Sequence, residues 1–242
     1  MALIEIRNLS KSFDENHVLR EVNIDVEKGS TVVILGKSGM GKSVLLKIIV
    51  GLIRPDSGSV RIDDREVAGM RSKELNELRR TMGYLFQGAA LYDSMSVREN
   101  LAFPLVRQEK LNEEELEERV LDQLRLVGLQ DAIDKMPSEL SGGMKKRIGL
   151  ARALIANPQI MLYDEPTTGL DPITSREIST LIKNLQARYQ PTSIAVTHDM
   201  QCARIIADTA AILHDGTLDQ QGTIEVLERS QDDTVRSFFA TQ

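Results

Sequence analysis

The chain has 242 residues and a formal net charge of −6, with 41% hydrophobic and 27% charged residues, which is typical of a globular protein. The basic residues are scattered along the sequence, and this disfavours a nucleic-acid partner. No apolar run approaches the roughly 18 residues of a membrane span, and the N-terminus lacks the pattern of a signal peptide. We therefore expect a cytoplasmic protein, for which a single cysteine is ordinary.

The first third of the chain has the pattern of strands. Residues 4–6 and 22–26 alternate between apolar and polar side chains, which predicts two half-buried strands. Residues 31–35 are continuously apolar, as is typical of a short strand covered on both faces. A glycine-rich turn follows, and residues 44–50 then predict a buried helix that ends at Gly51. The order of strand, glycine loop and helix is that of a P-loop.

The middle of the chain, from about residue 87 to residue 156, has a helical pattern. Apolar residues between 116 and 127 recur at spacings of three and four, with Asn112 as a predicted N-cap and Gly128 as the end of the helix. A second helix is expected to begin near Ser141. This stretch predicts a helical insert.

The α/β pattern returns in the last third of the chain. Residues 160–163, 194–196 and 210–213 are apolar and predict buried strands. Asp171 followed by Pro172 is typical of the start of a helix. The sequence therefore predicts an α/β protein with a helical insert.

The glycine-rich turn matches a phosphate-binding motif. Residues 36–43 fit G-x-x-x-x-G-K-[ST], in which backbone N–H groups curl around phosphate oxygens. Lys42 can reach the β- and γ-phosphates, and Ser43 can be a ligand of Mg²⁺. A chance match in a chain of this length is on the order of one in a hundred. The alternative is a glycine-rich turn without a ligand.

Two further features suit nucleotide chemistry. Asp164 and Glu165 end an apolar strand, where one carboxylate can hold Mg²⁺ and the other can accept a proton from water. Ser141 precedes Gly142 and Gly143 at a predicted helix start, which can bind an anion. The alternatives are a solvated acidic pair and an ordinary helix start. Because the P-loop already binds phosphates, the second anion site suits another molecule's nucleotide.

Over essentially its whole length the chain resembles the ATP-binding subunits of ABC transporters. Six motifs of that family occur in order, which makes coincidence negligible. They are the P-loop at residues 36–43, the Q-loop glutamine Gln87, the signature at 140–144, the Walker B segment at 160–165, the D-loop at 168–171 and the switch histidine His198.

The resemblance implies an α/β fold: a P-loop NTPase core with an antiparallel β subdomain and a helical ABC-specific subdomain. Residues 1–242 would be one ABC ATPase domain. Within it, residues 1–86 and 157–242 would form the core with the β subdomain, and residues 87–156 the helical signature subdomain.

The resemblance also implies the site. Phe13 would stack on adenine, Gln87 would sense Mg²⁺ and the γ-phosphate, and His198 would contact the γ-phosphate. From the residues alone, each could equally be an ordinary core or loop side chain. The catalytic residues would be Glu165, His198, Lys42 and Gln87, with Mg²⁺ held by Ser43, Gln87 and Asp164. ATP would contact Phe13, Gly36, Ser38, Gly39, Met40, Gly41, Lys42, Ser43 and Val44 of one copy and Ser141, Gly142 and Gly143 of the other.

Within the family, two departures are similar to the lipid-transport ATPases that work with MCE proteins, the maintenance-of-lipid-asymmetry type. Met144 stands where the signature usually ends in glutamine, and residues 145–147 are basic where many relatives have glutamines. Residues 87–100 are similar to the same branch. Because methionine cannot donate a hydrogen bond as glutamine can, the nucleotide contacts implied for the signature are those of Ser141, Gly142 and Gly143, without Met144.

This branch implies a homodimer that drives transmembrane permease subunits, with an MCE-type lipid-binding partner, at the inner face of the plasma membrane. An alternative is a nucleotide-gated regulator of a cell-envelope or division complex that transports no solute. In the segment expected to meet the permease, Leu91, Tyr92, Met95 and Val97 are predicted to be exposed in a docking groove. The alternative is that they pack on the helical insert.

Overall fold

The computed structural model describes residues 2–108, 111–232, 235–236 and 239. Within these residues the chain forms two β-sheets and eight α-helices, together with two short 3₁₀ turns at Gln130–Ala132 and Pro137–Glu139. In chain order the elements are β1 (Ala2–Phe13), β2 (Asn16–Glu27), β3 (Thr31–Leu35), α1 (Lys42–Ile49), β4 (Ser57–Ile62), β5 (Arg65–Glu66), α2 (Ser72–Arg80), β6 (Met82–Leu85), α3 (Val97–Gln108), α4 (Glu113–Val127), α5 (Gly142–Leu154), β7 (Ile160–Asp164), α6 (Pro172–Tyr189), β8 (Thr192–Thr197), α7 (Met200–Ile206), β9 (Thr209–His214), β10 (Thr217–Gly222) and α8 (Ile224–Glu228).

The smaller sheet is antiparallel and has the strand order β2-β1-β4-β5. Its two long strands pair in a register that places Ile4 opposite Val26 and Ile6 opposite Ile24. All four side chains are buried, so the alternation in the sequence puts one face of this sheet on the core. The two half-buried strands predicted from the sequence are confirmed.

The larger sheet has the order β10-β9-β3-β8-β7-β6, and β9, β3, β8, β7 and β6 run parallel. Strands β3, β7 and β8 are buried along their whole length, as the apolar runs predicted. In the register, Leu35 lies beside Thr197 and Asp164 lies beside Val196. The carboxyl ends of three neighbouring strands therefore meet at one edge, which is where ligands bind in sheets of this kind.

Helices α3, α4 and α5 surround a hydrophobic cluster of their own, which includes Val97, Leu124 and Ile148. Asn112 caps α4 by accepting from the Glu115 N–H at 2.9 Å, and Gly128 ends the helix at a φ of +69°. Helix α5 also contributes side chains to the core under the larger sheet. The α/β fold with an antiparallel sheet and a helical part is confirmed, whereas the domain limits at residues 86/87 and 156/157 stay a prediction.

The segment before α3 is less exposed than predicted. Val97 is fully buried in the helical cluster, and Leu91 packs against the same cluster, so the predicted exposure of these two residues is wrong. Met95 is partly buried, and Tyr92 is exposed. The side chain of Asn100 turns this segment inward, because its amide donates to the carbonyl groups of Tyr92 and Met95. Throughout the described ranges, no helix is long and apolar enough to cross a bilayer.

Candidate functional site

The loop between β3 and α1 is wrapped around the side chain of its own lysine. Lys42 is buried, and its Nζ donates to the carbonyl oxygens of Gly36 at 2.7 Å and Lys37 at 3.0 Å. Helix α1 begins at Lys42, so its free N–H groups and its positive dipole end lie at the same loop. An ammonium group, backbone donors and a helix start together form a site for phosphate.

The smaller sheet lies directly against this loop. Gly41 has a φ of +90°, and a Cβ at this position would lie 2.6 Å from Cγ1 of Val18 on β2. The end of the β1–β2 hairpin, with Phe13, is therefore beside the phosphate loop. Phe13 is 44% exposed, and the Nζ of Lys11 lies 5.3 Å from its ring centroid. An exposed ring at this place is available for stacking, and its predicted contact with adenine stays a proposal.

Two glycines of the loop give a matched test of this packing. Gly39 has a φ of +83°, but nothing lies within 4 Å of an added Cβ, whereas Gly41 meets Val18. Alanine costs about 1–2 kcal/mol at either position because of the left-handed backbone. Gly41→Ala is expected to lower the free energy of unfolding by a further ~1–3 kcal/mol through overpacking. Urea unfolding of the two variants measures the difference, and equal losses would contradict the close approach.

Asp164 lies at the end of β7, between two hydroxyl groups. Ser43 Oγ donates to its Oδ1 at 2.7 Å, and the Tyr84 hydroxyl donates to its Oδ2 at 3.2 Å. Burial and the charge of Asp164 raise the pKa of Tyr84, so the phenol keeps its proton and remains a donor. Ser43 and Asp164 are thus brought together from 121 positions apart in the sequence.

These two residues supply the donor atoms that Mg²⁺ prefers, a hydroxyl oxygen and a carboxylate oxygen. Both oxygen atoms lie beside the phosphate loop, because Ser43 belongs to the first turn of α1. The side chains therefore fit the ion. Held by Ser43 and Asp164, the ion would supply positive charge that offsets the negative charge of the phosphate groups.

Glu165 is the most connected side chain of the site. It is buried, and its Oε1 lies 3.0 Å from Nζ of Lys42. Its Oε2 lies 2.9 Å from Nδ1 of His198 and accepts from the Thr168 hydroxyl at 3.0 Å. The structure thus brings three predicted catalytic residues, Lys42, Glu165 and His198, into one cluster. Their catalytic roles stay a proposal.

Gln87 does not join this cluster through its side chain. The side chain is exposed, and no hydrogen bond found among the described residues links it to Ser43 or Asp164. Its backbone carbonyl instead accepts from Nζ of Lys146 at 2.5 Å. The predicted contact of Gln87 with Mg²⁺ therefore stays a proposal and would need the side chain to turn inward.

The predicted signature forms the start of α5. Ser141 is the N-cap, and its hydroxyl accepts from the Met144 N–H at 3.3 Å. An added Cβ on Gly143 would lie 2.7 Å from Thr174, so this helix start packs against the first turn of α6. Ser141 and Gly142 are exposed, and over the part of the chain that is described no hydrogen bond or ion pair connects them to the phosphate loop.

Sequence reasoning assigned no role to Lys146 and Tyr84. Nζ of Lys146 donates to the carbonyl oxygens of Gln87 and Glu165, and burial lowers its pKa to about 8 against the pull of nearby carboxylates. The only sequence signal was a lysine where many relatives have glutamine. Tyr84 could have been found only by knowing that β6 pairs with β7, which the sequence does not state.

The site lies at the carboxyl edge of a parallel sheet and combines a phosphate loop, a hydroxyl–carboxylate pair and a buried glutamate. This arrangement is typical of a nucleotide hydrolase. The family model described as "ABC transporter" matches residues 19–168 of the chain. The chain belongs to the ABC transporter family. It is an ATP-binding subunit that hydrolyses ATP, and ABC ATPases use Mg²⁺ with ATP.

Relatives and a solved structure extend this result over more than nine tenths of the chain. The sequence is 43% identical over 236 residues to "Probable ribonucleotide transport ATP-binding protein mkl" of Mycobacterium leprae, covering 98% of this chain and 68% of that protein. It is 41% identical over 237 residues to "Intermembrane phospholipid transport system ATP-binding protein MlaF" of Haemophilus influenzae, covering 98% and 90%. A dimeric ATP-binding cassette solved in a post-hydrolysis state with ADP and Pi has a TM-score of 0.83 and 33% identity, covering 91% and 98%.

Proposed function

We propose that this ABC ATPase drives phospholipid transport, as a homodimer joined to transmembrane permease subunits and an MCE-type lipid-binding protein. The observation that carries the proposal is the 41% identity, over nearly the full length of both chains, to an ATP-binding protein named for intermembrane phospholipid transport. Met144 at the end of the signature and the basic residues 145–147 that follow it support the same branch. The subunit would act at the inner face of the plasma membrane.

In the proposed mechanism the P-loop of one copy holds the phosphates and Glu165 accepts a proton from the attacking water. Lys42 lies 3.0 Å from Glu165, so binding of the γ-phosphate must draw this ammonium from the carboxylate to the phosphate oxygens. Once Lys42 has moved to the phosphate, the Glu165 carboxylate has one ion-pair partner fewer and is available to accept a proton, as a general base must be. His198, which also contacts Glu165, would then contact the γ-phosphate.

The second copy would complete the site head to tail. Its Ser141, Gly142 and Gly143 start a helix whose N–H groups can bind an anion. Two of these residues are exposed, and they make no polar contact with the chain's own phosphate loop among the bonds that the described ranges contain. The dimeric cassettes with similar folds support this arrangement.

The permease would dock on the segment that leads into α3. Tyr92 is 44% exposed, with its ring 4.9 Å from that of Phe103 and 5.5 Å from the guanidinium of Arg152. Asn100 holds the backbone of this segment on both sides, by accepting from the Tyr92 N–H and donating to its carbonyl. A rigid aromatic side chain of this kind is a typical anchor for a partner helix.

The cargo can be tested directly, because the two relatives described above are named for different cargoes, ribonucleotide and phospholipid. We expect the subunit, purified with the membrane proteins that co-elute from its host, to carry bound phospholipid. ATP should drive transfer of labelled phospholipid between vesicles, and Glu165→Gln should abolish the transfer. Mass spectrometry of extracted lipid and the vesicle assay measure both.

Several outcomes would contradict the proposal. A complex without lipid, whose ATP hydrolysis is stimulated by a ribonucleotide, amino acid, sugar or metal ion, would exclude phospholipid as cargo. A complex that hydrolyses ATP in response to a division protein and transfers no solute would favour a regulator. Either result leaves the assignment as an ABC ATPase unchanged.

A further inference from the structure

One buried lysine connects three segments of the ATPase site. Lys146 lies on α5, the helix that begins at the signature, and is 5% exposed. Its Nζ donates to the carbonyl oxygen of Gln87 at 2.5 Å and to that of Glu165 at 2.9 Å. The ammonium therefore ties the signature helix to the Gln87 loop and to the turn that follows β7.

The backbone at Glu165 depends on such support. Its φ is +48°, in the left-handed region that a non-glycine residue adopts only when its surroundings hold it there. The Glu165 N–H donates to the carbonyl of Val196 at 2.9 Å, and its carbonyl accepts from Lys146. Both backbone groups are thus fixed, and so is the point from which the Glu165 side chain extends towards Lys42 and His198.

Two lysines therefore hold Glu165 from different sides. Lys42 lies against the carboxylate and belongs to the phosphate loop, whereas Lys146 binds the backbone carbonyl and belongs to the signature helix. Phosphate can compete for Lys42. Among the residues that the structure describes, the hydrogen bonds of Lys146 go to two backbone carbonyls, and nothing in the proposed mechanism competes for them.

We propose that Lys146 is a positioning residue for ATP hydrolysis, which holds the Glu165 turn and the Gln87 loop in register with the signature helix. The proposal rests on the catalytic role proposed for Glu165. A lysine suits this position because an ammonium has three donors and can serve two carbonyl oxygens at once. It acts through Glu165 and does not touch the nucleotide.

The test is Lys146→Met, which keeps the length of the side chain and removes its donors. We expect the turnover number to fall about 10- to 100-fold, as when a partner that orients a metal ligand is lost. The Kd for ATP should stay within about twofold of the wild type, because the phosphate loop is unchanged. Lys146→Arg, which can donate to both carbonyls, should recover most of the activity.

Lys183→Met is the matched control. It removes the same charge from a partly exposed lysine on α6, whose ion pair with Asp208 lies on the surface. We expect this variant to keep full turnover and full affinity for ATP. A general effect of lost positive charge would lower the activity of both variants equally and would overturn the proposal.

A double-variant cycle separates positioning from a purely structural role. If Lys146 acts through Glu165, then Lys146→Met should lower turnover little further in a Glu165→Gln background, because residues that act as a unit are not additive. An equal fold-loss in both backgrounds would overturn the proposal, as would normal turnover of the single variant. Should Lys146→Met fail to fold, the cycle is run with Lys146→Leu, which also lacks donors.

A failure of the role proposed for Lys146 can be told apart from a failure of the proposed function. The experiment uses the full-length ATPase and measures hydrolysis, so it does not depend on the cargo. If Glu165→Gln alone retained normal turnover, the role of Glu165 would be wrong before Lys146 is tested. If Glu165→Gln is inactive and Lys146→Met is normal, only the positioning role is excluded.

Discussion

Glu165→Gln should lower ATP turnover by about 10²–10⁴-fold, the usual effect of removing a general base. Glutamine preserves the shape of the side chain and can still contact Thr168 and His198, but its amide cannot take a proton from water. The expected result is a folded protein whose steady-state ATP hydrolysis is nearly lost. Phosphate release assays measure it.

The same variant should bind ATP at least as well as the wild type. The hydroxyl–carboxylate pair of Ser43 and Asp164 is untouched, and Lys42 keeps its two carbonyl partners in the loop. Loss of the carboxylate charge also removes a competitor for Lys42, which lies 3.0 Å away. ATP should therefore trap the variant as a closed dimer, which size-exclusion chromatography with and without ATP detects.

Glu118→Gln is the control for this change. Glu118 is exposed on α4, outside the site, so the same substitution there should leave turnover and dimerisation unaltered. Near-normal hydrolysis by Glu165→Gln would rule out its role as the base. Loss of ATP binding by this variant would mean that Glu165 helps to hold the nucleotide.

The buried strands of this fold could be predicted from the sequence with little error. The strand predicted at residues 31–35 is β3 in the structure, because a short apolar run next to a glycine loop has few other interpretations. The caps at Asn112 and Asp171 were also predicted, since their side chains bond locally to N–H groups two or three positions ahead. In each case, residues close together in the sequence determine the element, so the sequence alone was enough to predict it.

Contacts between distant segments could not be predicted in the same way. Tyr84 reaches Asp164 only because β6 lies beside β7, and strand order is a property of the whole sheet. The burial of Val97 depends on how α3 and α5 pack, which an apolar side chain at the start of a helix does not reveal. Lys146 is the same kind of case, since its partners lie 59 and 19 positions away.

The P-loop, the carboxylate pair after β7 and the helix start at Ser141 were located from the residues themselves, whereas the roles of Phe13, Gln87 and His198 came from the family resemblance. The geometry adds how these motifs are connected. Periodicity predicted that a helix begins at Ser141, and the structure confirms this. Neither the periodicity nor the structure of the helix start shows that a nucleotide binds there. The proposal that it serves a second copy rests on its exposure and on the dimeric cassettes of similar fold, so it calls for an experiment of its own.

Ser141→Arg should lower the rate of ATP hydrolysis by about 10²-fold or more and leave ATP binding by each monomer intact. Hydrogen-bond donors aimed at developing charge in a closed site contribute a rate factor of this size. The arginine would place a long side chain where the second nucleotide should lie. Wild-type activity per subunit should rise with protein concentration as dimers form. The variant should stay inactive at every concentration and should remain a monomer when ATP is added.

Asn112→Ala controls for the helix cap that Ser141→Arg also removes. Asn112 caps α4 as Ser141 caps α5, and losing such a cap costs about 1 kcal/mol of stability. We expect this control to lose stability and to keep its turnover and its dependence on concentration. If the Ser141→Arg variant hydrolysed ATP at the full rate as a monomer, each chain would hold a complete site and the head-to-tail dimer would be wrong.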